Sequence, residues 1–347
     1  VVWFTVSIER VKLGFVPGLE IEFSDRDRAI RQVIEWSEKS TAYPVVVFGP
    51  EGCGKTAWLK QASLILERQG FDVIYVDPLR KEYIAYTDIK EVVDRLLEAT
   101  ADTTGYAPIK LADLIIYLAN QLLKRWKRKR IAVLADDVFQ AIGIERSEAY
   151  VKALLNTIEY PPEPYEKIVI IVATSEGASR ARIGRHRWAE ITPMWNMSRK
   201  GFGELYEKIP GTNPSFDEVW RLTGGNPDML RRLYLSKWSV ADVIKSLIKL
   251  KKLDTFILSL SSDERKWLCE AVEDPDTLYT RERIPLLNRL VELNLIVDEI
   301  EFRDPELWID EPPPERDPEL GISRLAAWQT PLHREAVRKV LGDCKHM

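Results

Sequence analysis

Apolar residues recur along the first half of the chain in two alternating patterns. Val45-Val46-Val47-Phe48, Phe71 to Val76, Ile131 to Ala135 and Ile168 to Ala173 are short runs with almost no polar interruption. That is the pattern of strands buried on both faces. Between them, Trp58, Leu59, Ala62, Leu64, Ile65 and Leu66 read as an amphipathic helix, and Leu111, Ile115, Leu118, Leu122 and Trp126 fall on one helical stripe. Ile30, Val33 and Ile34 place a helix over Arg28 to Ser37, and Ile89 to Leu97 and Ala149 to Ile158 read as two more. Ala189 to Ile191 is a candidate last strand. Strands alternating with helices predict a parallel sheet covered on both faces, an α/β domain over residues 1–195.

The strand pattern stops near Ser198. Phe202 to Ile209, Phe216 to Leu222, Pro227 to Trp238 and Val240 to Leu250 all carry helical spacing, and the turn Gly224-Gly225-Asn226-Pro227 separates two of them. Residues 196–260 therefore predict a small helical lid. In residues 261–347, Asp263 to Val272 and Pro285 to Leu293 are helical, Leu295 to Phe302 is strand-like, and a last helix spans His333 to Leu341. Two helices followed by a hairpin predict a winged-helix-like domain. No internal repeat is visible.

At 347 residues the chain is too long for one ordinary core. Its 45% hydrophobic and 30% charged residues describe a globular protein. No apolar run approaches the ~18 residues that span a bilayer. The start, Val1-Val2-Trp3-Phe4, lacks the basic region of a signal peptide. Cys53, Cys269 and Cys344 are scattered without metal-type spacing, which fits a reducing cytoplasm. The 3 histidines make a His-based metal site improbable. Asn and Gln number 13 against 104 charged residues, a balance that suits a hot-living source. The net charge of −4 gives no global attraction to nucleic acid.

Chemistry concentrates in Gly49-Pro50-Glu51-Gly52-Cys53-Gly54-Lys55-Thr56, which fits the phosphate-loop pattern G-x-x-x-x-G-K-[ST] throughout. The glycines allow a turn whose N–H groups face inward as a nest for phosphate oxygens. The helix that follows, with Ala57 in its first turn, aims its positive end at the same spot. Lys55 supplies a charge for the β- and γ-phosphates, and Thr56 a hydroxyl for Mg²⁺. Asp136 and Asp137 end the strand Ile131 to Ala135. Asp136 suits the metal through its waters, and Asp137 suits the attacking water. Asp137 stands where many ATPases carry Glu and reaches about one methylene less far, so slow hydrolysis is expected. Thr174, after Ile168 to Ala173, is placed to sense the γ-phosphate or to close a local turn.

FGPEGCGKT, LADDV, ATSEG and TGGNP together resemble the archaeal ATPases of the STAND branch of the AAA+-like P-loop proteins, over residues 20–260. The resemblance implies a P-loop NTPase core with a parallel sheet, an α-helical lid and a C-terminal winged helix, working on ATP and Mg²⁺ as a slow switch. It implies a lid contact to nucleotide from Gly225-Asn226-Pro227, and places Asp25-Arg26-Asp27 near the adenine. No arginine is fixed as a finger; Arg180, Arg182, Arg185 and Arg187 are the candidates. Repeat arrays for partners are absent, so a protein partner is expected on the core, the lid or the C-terminal domain, and the oligomeric state is open. Lys124 to Arg130 carries six cations in seven residues, which suits DNA phosphates or the end of a helix. Asp298 to Leu320 holds ten acids against two bases, so a wing there would repel DNA. Three functions compete: an ATPase switch, a DNA-associated ATPase resembling origin-recognition initiators, and a nucleotide-binding regulator with negligible turnover.

Overall fold

A computed structural model describes residues 8–124, 130–175, 180, 182–342 and 344. The chain forms two compact units. One comprises Val1–Phe48, Lys55–Thr174 and Ser179–Thr192; the other comprises Gly49–Gly54, Ser175–Ala178 and Pro193–Met347.

The first unit opens with a hairpin, β1 (Lys12–Val16) and β2 (Leu19–Glu22), paired antiparallel around Pro17-Gly18. Helix α1 (Asp27–Lys39) leads to β3 (Val45–Phe48) and α2 (Lys55–Arg68). Then come β4 (Asp72–Asp77), β5 (Glu82–Tyr86), α3 (Lys90–Ala101), α4 (Ala107–Leu123), β6 (Arg130–Asp136), α5 (Val138–Ile142), α6 (Ile144–Glu159), β7 (Lys167–Ala173) and β8 (Glu190–Pro193). The six-stranded sheet has the order β5-β4-β6-β7-β3-β8. β4, β6, β7 and β3 run parallel, and β5 joins the edge antiparallel to β4.

Burial explains the order. Every residue of β3 is buried, as is every residue of β6 and β7 except the first of each. Ile74, Val133, Ile170 and Val172 share one core with Leu111, Ile115, Leu118 and Leu122 of α4 and with Val151 and Leu154 of α6. α2 buries Trp58, Leu59, Ala62, Ile65 and Leu66, and the Trp58 ring meets Trp36 of α1 edge-on at 6.4 Å. Each buried aliphatic side chain stabilises the unit by about 1.5–3 kcal/mol.

The second unit is mainly helical. α7 (Arg199–Glu207), α8 (Phe216–Thr223), α9 (Pro227–Leu235), α10 (Val240–Leu250), α11 (Leu253–Leu258), α12 (Ser262–Glu273), α13 (Ile284–Glu292) and α14 (Pro331–Leu341) follow in order. Local caps set most of their starts. The side chains of Ser198, Ser215, Asn226, Ser239, Ser261 and Thr330 each accept a backbone N–H of the turn they open. Between α13 and α14, Trp308, Ile300, Ile322, Leu320 and Ala327 form a small core with Trp195.

Several expectations are corrected. The hairpin β1–β2 and the edge strand β5 add to the strands expected from the apolar runs; both are short and only partly buried, so they lack a continuous apolar run. Leu295 to Phe302 contributes only β9 (Ile296–Val297), paired with β10 (Ala327–Trp328). Glu299 takes φ 56°, a left-handed conformation that stops the strand. Two of the three cysteines are not isolated thiols. Cys269 on α12 and Cys344 form a disulfide, with Cα atoms 5.8 Å apart and 75 residues between them in sequence. Among the described residues no helix is long and apolar enough to cross a membrane.

Candidate functional site

In the first unit, five of the expected residues converge where the parallel strands end, the edge at which open α/β sheets place their ligands. Lys55 and Thr56 begin α2, and Lys55 is buried. Asp136 is the last residue of β6, is buried, and hydrogen-bonds the Thr56 side chain. Tyr75 of β4 donates its hydroxyl to Asp136 Oδ2 at 3.2 Å. Asp137 turns the chain with φ 46° and donates its N–H to Ala173 O at 3.0 Å. Thr174, fully buried, donates its N–H to Val47 O at 2.9 Å. These backbone bonds tie the ends of β6, β7 and β3 together.

The electrostatics of this edge ask for a cation. Burial, followed by the charge of Asp137, pushes the Asp136 carboxyl above its ordinary range. Burial and the charges of Asp136 and Asp77 keep the Tyr75 phenol protonated. A hydroxyl on a buried carboxylate, with further carboxylates close by, is a donor set that fits hard divalent Mg²⁺.

Asp77 and Arg80 were missed in the sequence. Asp77 ends β4 and is wholly buried; its Oδ1 accepts the Arg80 N–H at 2.9 Å, and Arg80 Nη1 lies 3.4 Å from Oδ2. The signal was the alternation Tyr75-Val76-Asp77, which puts a phenol and an acid on one strand face beside the Asp136 strand.

In the second unit, residues 49–54 of the phosphate loop are held by a buried polar network. Asn226 Nδ2 donates to Glu51 O at 2.9 Å and to Asn196 Oδ1 at 2.8 Å. Asn196 Nδ2 donates to Gln329 O at 2.9 Å, and Gln329 Oε1 accepts the Glu51 N–H at 2.8 Å. Lys251 pairs with Glu51 at 2.7 Å. Burial raises the Glu51 carboxyl, but the Lys251 charge and hydrogen bond outweigh it and hold it below its ordinary value. Asp228 donates its N–H to Gly52 O at 3.3 Å. The turn Gly225-Asn226-Pro227 thus touches the loop through Asn226 and the residue after Pro227. Pro227, which has no N–H, opens α9.

Two glycines permit this contact. A Cβ on Gly49 would lie 1.9 Å from Met194 O, and one on Gly52, at φ +76°, would lie 2.4 Å from the Asp228 Cβ. Gly52→Ala is expected to cost about 1–3 kcal/mol through overpacking. Calorimetry should show a lowered Tm, and a Tm equal to the parent's would contradict this packing.

His333, also in this unit, is fully buried at the start of α14, with Nδ1 2.8 Å from Thr330 Oγ1. Burial, then the Lys251 charge, pushes its pKa down to about 3. The folded value lies below the ordinary 6.5, so the stability it contributes is complete above pH 6.5 and is lost as pH falls toward 3. The expected slope is up to about 1.4 kcal/mol per pH unit. Denaturant titrations of the parent and His333→Leu between pH 7 and 4 check this, because the variant should lose that slope.

The remaining candidates separate. Arg26 is buried at the N-terminus of α1, with φ 60°. Arg180 is buried, its guanidinium 4.7 Å from the centre of the Phe48 ring. Arg182 pairs with Glu145, while Arg185 and Arg187 are exposed. Of the basic run Lys124 to Arg130, residues 125–129 lie outside the described residues, and Arg130 is paired with Glu166.

Residues 23–233 match the model of a family described as an ATPase domain predominantly from Archaea. No curated protein matches the chain. Among solved structures it is similar to AMPPCP-bound DnaA from Aquifex aeolicus, at 15% identity over 76% of each chain with a TM-score of 0.37. It is similar to the RuvB Holliday junction branch migration motor of Thermotoga maritima, at 12% identity over 72% of this chain and 77% of that one, with a TM-score of 0.32. A replication initiator DnaA bound to AMPPCP and single-stranded DNA is 15% identical over 76% and 92%, with a TM-score of 0.36.

Proposed function

Since the chain belongs to the family of ATPase domains found predominantly in Archaea, we propose that it hydrolyses ATP slowly with Mg²⁺ and uses the nucleotide as a conformational switch of the STAND type. The observation that carries this reading is the meeting of Thr56, the last residue of the phosphate-loop motif, with Asp136, Asp137 and Thr174 at one sheet edge. Gly49 to Ala57 cradle the phosphates, with Lys55 as their mobile charge. Thr56 and Asp136 hold Mg²⁺, which when bound offsets the negative charge of the β- and γ-phosphates. Asp137 orients the attacking water, Thr174 senses the γ-phosphate, and Arg26 borders the adenine.

The switch reading draws on the network around Glu51. Asn226 and Gln329, distant from each other in the chain, both bond Glu51 of the loop, and Asn196 links the two. A loop that shifts with the state of its phosphates must disturb all three. The 196–260 segment then acts as lid, and residues 261–347, read as a winged helix, present the surface for a protein partner. DNA association, the second reading, has its support in Lys124 to Arg130. The arginines around the second helix of the winged-helix candidate, Arg283 and Arg289, do not favour it, since they pair with Glu270 and Glu264.

Amide exchange over residues 193–347 tests the switch. ATPγS-loaded and ADP-loaded protein should differ in protection around Asn196, Asn226 and Gln329, and identical exchange would end the reading. Duplex DNA binding that weakens steeply with salt would favour the second reading instead.

A further inference from the structure

Arg80 stands on the turn after β4, a strand end where the parallel-sheet pattern alone requires no cation. β4 is the parallel neighbour of β6, and Val76 is in register with Ala135. Asp77 and Asp136, the next residues, therefore leave the sheet side by side. Asp77 is wholly buried, yet its Oδ2 makes no hydrogen bond. Its nearest charge is Arg80 Nη1, 3.4 Å away. A buried carboxylate oxygen left without a hydrogen bond is costly and calls for an explanation.

The guanidinium is held loosely and in a telling place. Arg182 makes two hydrogen bonds to Glu145, at 3.0 and 3.1 Å, although Glu145 is far more exposed than Asp77. Arg80 makes no such pair, and 56% of its side chain is exposed. Burial works against its charge, but Asp77, then Asp136 and Asp137 outweigh it. Those two acids are the ones assigned to the metal and to the attacking water. Of the other arginines considered, Arg182 is taken by Glu145, Arg180 is stacked on Phe48, and Arg185 and Arg187 are exposed.

We propose that Arg80 is the arginine this chain supplies, in cis, to the transferred phosphoryl group, and that Asp77 is the positioning residue that holds its guanidinium beside Asp136 and Asp137 until ATP arrives. The inference rests on the ATP hydrolysis proposed above. A water oxygen forms a bond to the γ-phosphorus as the bond from phosphorus to the β–γ bridging oxygen breaks. The electron pair leaves on ADP, and the water proton passes by way of Asp137 to solvent. Arg80 stabilises the negative charge on the equatorial phosphoryl oxygens, and swings from Asp77 to do so.

The test compares the parent with Arg80→Ala in Mg²⁺-dependent phosphate release, in affinity for a fluorescent ATP analogue, and in Tm. Arg80→Ala should lose turnover by about a hundredfold or more, bind the analogue nearly as the parent does, and stay folded with a lowered Tm, because Asp77 loses its nearest charge partner. Added guanidinium ion at millimolar concentration should restore part of the lost turnover, which a merely structural role would not allow. An active parent with an equally active Arg80→Ala overturns the inference alone, as does a loss that guanidinium leaves unrestored. A parent without turnover overturns the hydrolytic reading and this inference with it.

Discussion

Lys55→Ala is expected to lose ATP turnover by about a hundred- to a thousandfold and to bind ATP markedly more weakly, while its fold stays intact. Lys55 is the first residue of α2 and is buried. A cation there opposes the helix dipole, whose positive end is at the N-terminus, so helix stability alone does not select it. The position makes sense if an anion completes it. A charged hydrogen bond to phosphate contributes about 1.5–3 kcal/mol, and replacing Lys55 forfeits that on ATP, with more in a transition state that carries greater charge. Calorimetry and an analogue titration together check this; a variant that unfolds, or that binds ATP as the parent does, contradicts it.

Asp137→Ala should arrest turnover while leaving ATP bound, with a fall of about 10²–10⁴ in rate and an affinity within a few-fold of the parent. Asp137 takes φ 46°, a conformation that costs a non-glycine residue about 1–2 kcal/mol. Its backbone is anchored to Ala173 O at 3.0 Å. Asp137→Asn, which tolerates the same conformation, separates charge from geometry and should be as inactive as the alanine. Asp137→Glu adds the methylene that the expected slow hydrolysis lacks, so an active or faster glutamate variant is the predicted companion result. Single-turnover phosphate release measures all three. Undiminished turnover in Asp137→Ala would remove this residue from the chemistry.

The parts of the fold that were legible in the sequence are those whose burial is uniform. β3, β6 and β7 are nearly all buried, so hydrophobicity alone marked them. β5 was not legible because its residues are only partly buried at a sheet edge. The Cys269–Cys344 disulfide was hidden because pairing across 75 residues depends on where α12 and the C-terminal segment come to lie. The same distinction holds at the site. Lys55, Thr56 and Asp136 sit at fixed spacings around a motif. Asn196, Lys251 and Gln329 belong to long-range packing that only the assembled chain reveals, while Asp77 had a signal in the strand alternation whose meaning depends on the register of β4 with β6. Asn226 lies between, in a turn visible in sequence whose side-chain contact to Glu51 was not.

Phosphate release from ATP by the purified chain, followed with Mg²⁺ and again with EDTA, tests the central claim most directly. The account predicts slow, steady release that stops when EDTA removes the metal and is almost absent from Lys55→Ala. Release that persists in EDTA, or that is the same in Lys55→Ala as in the parent, would contradict it.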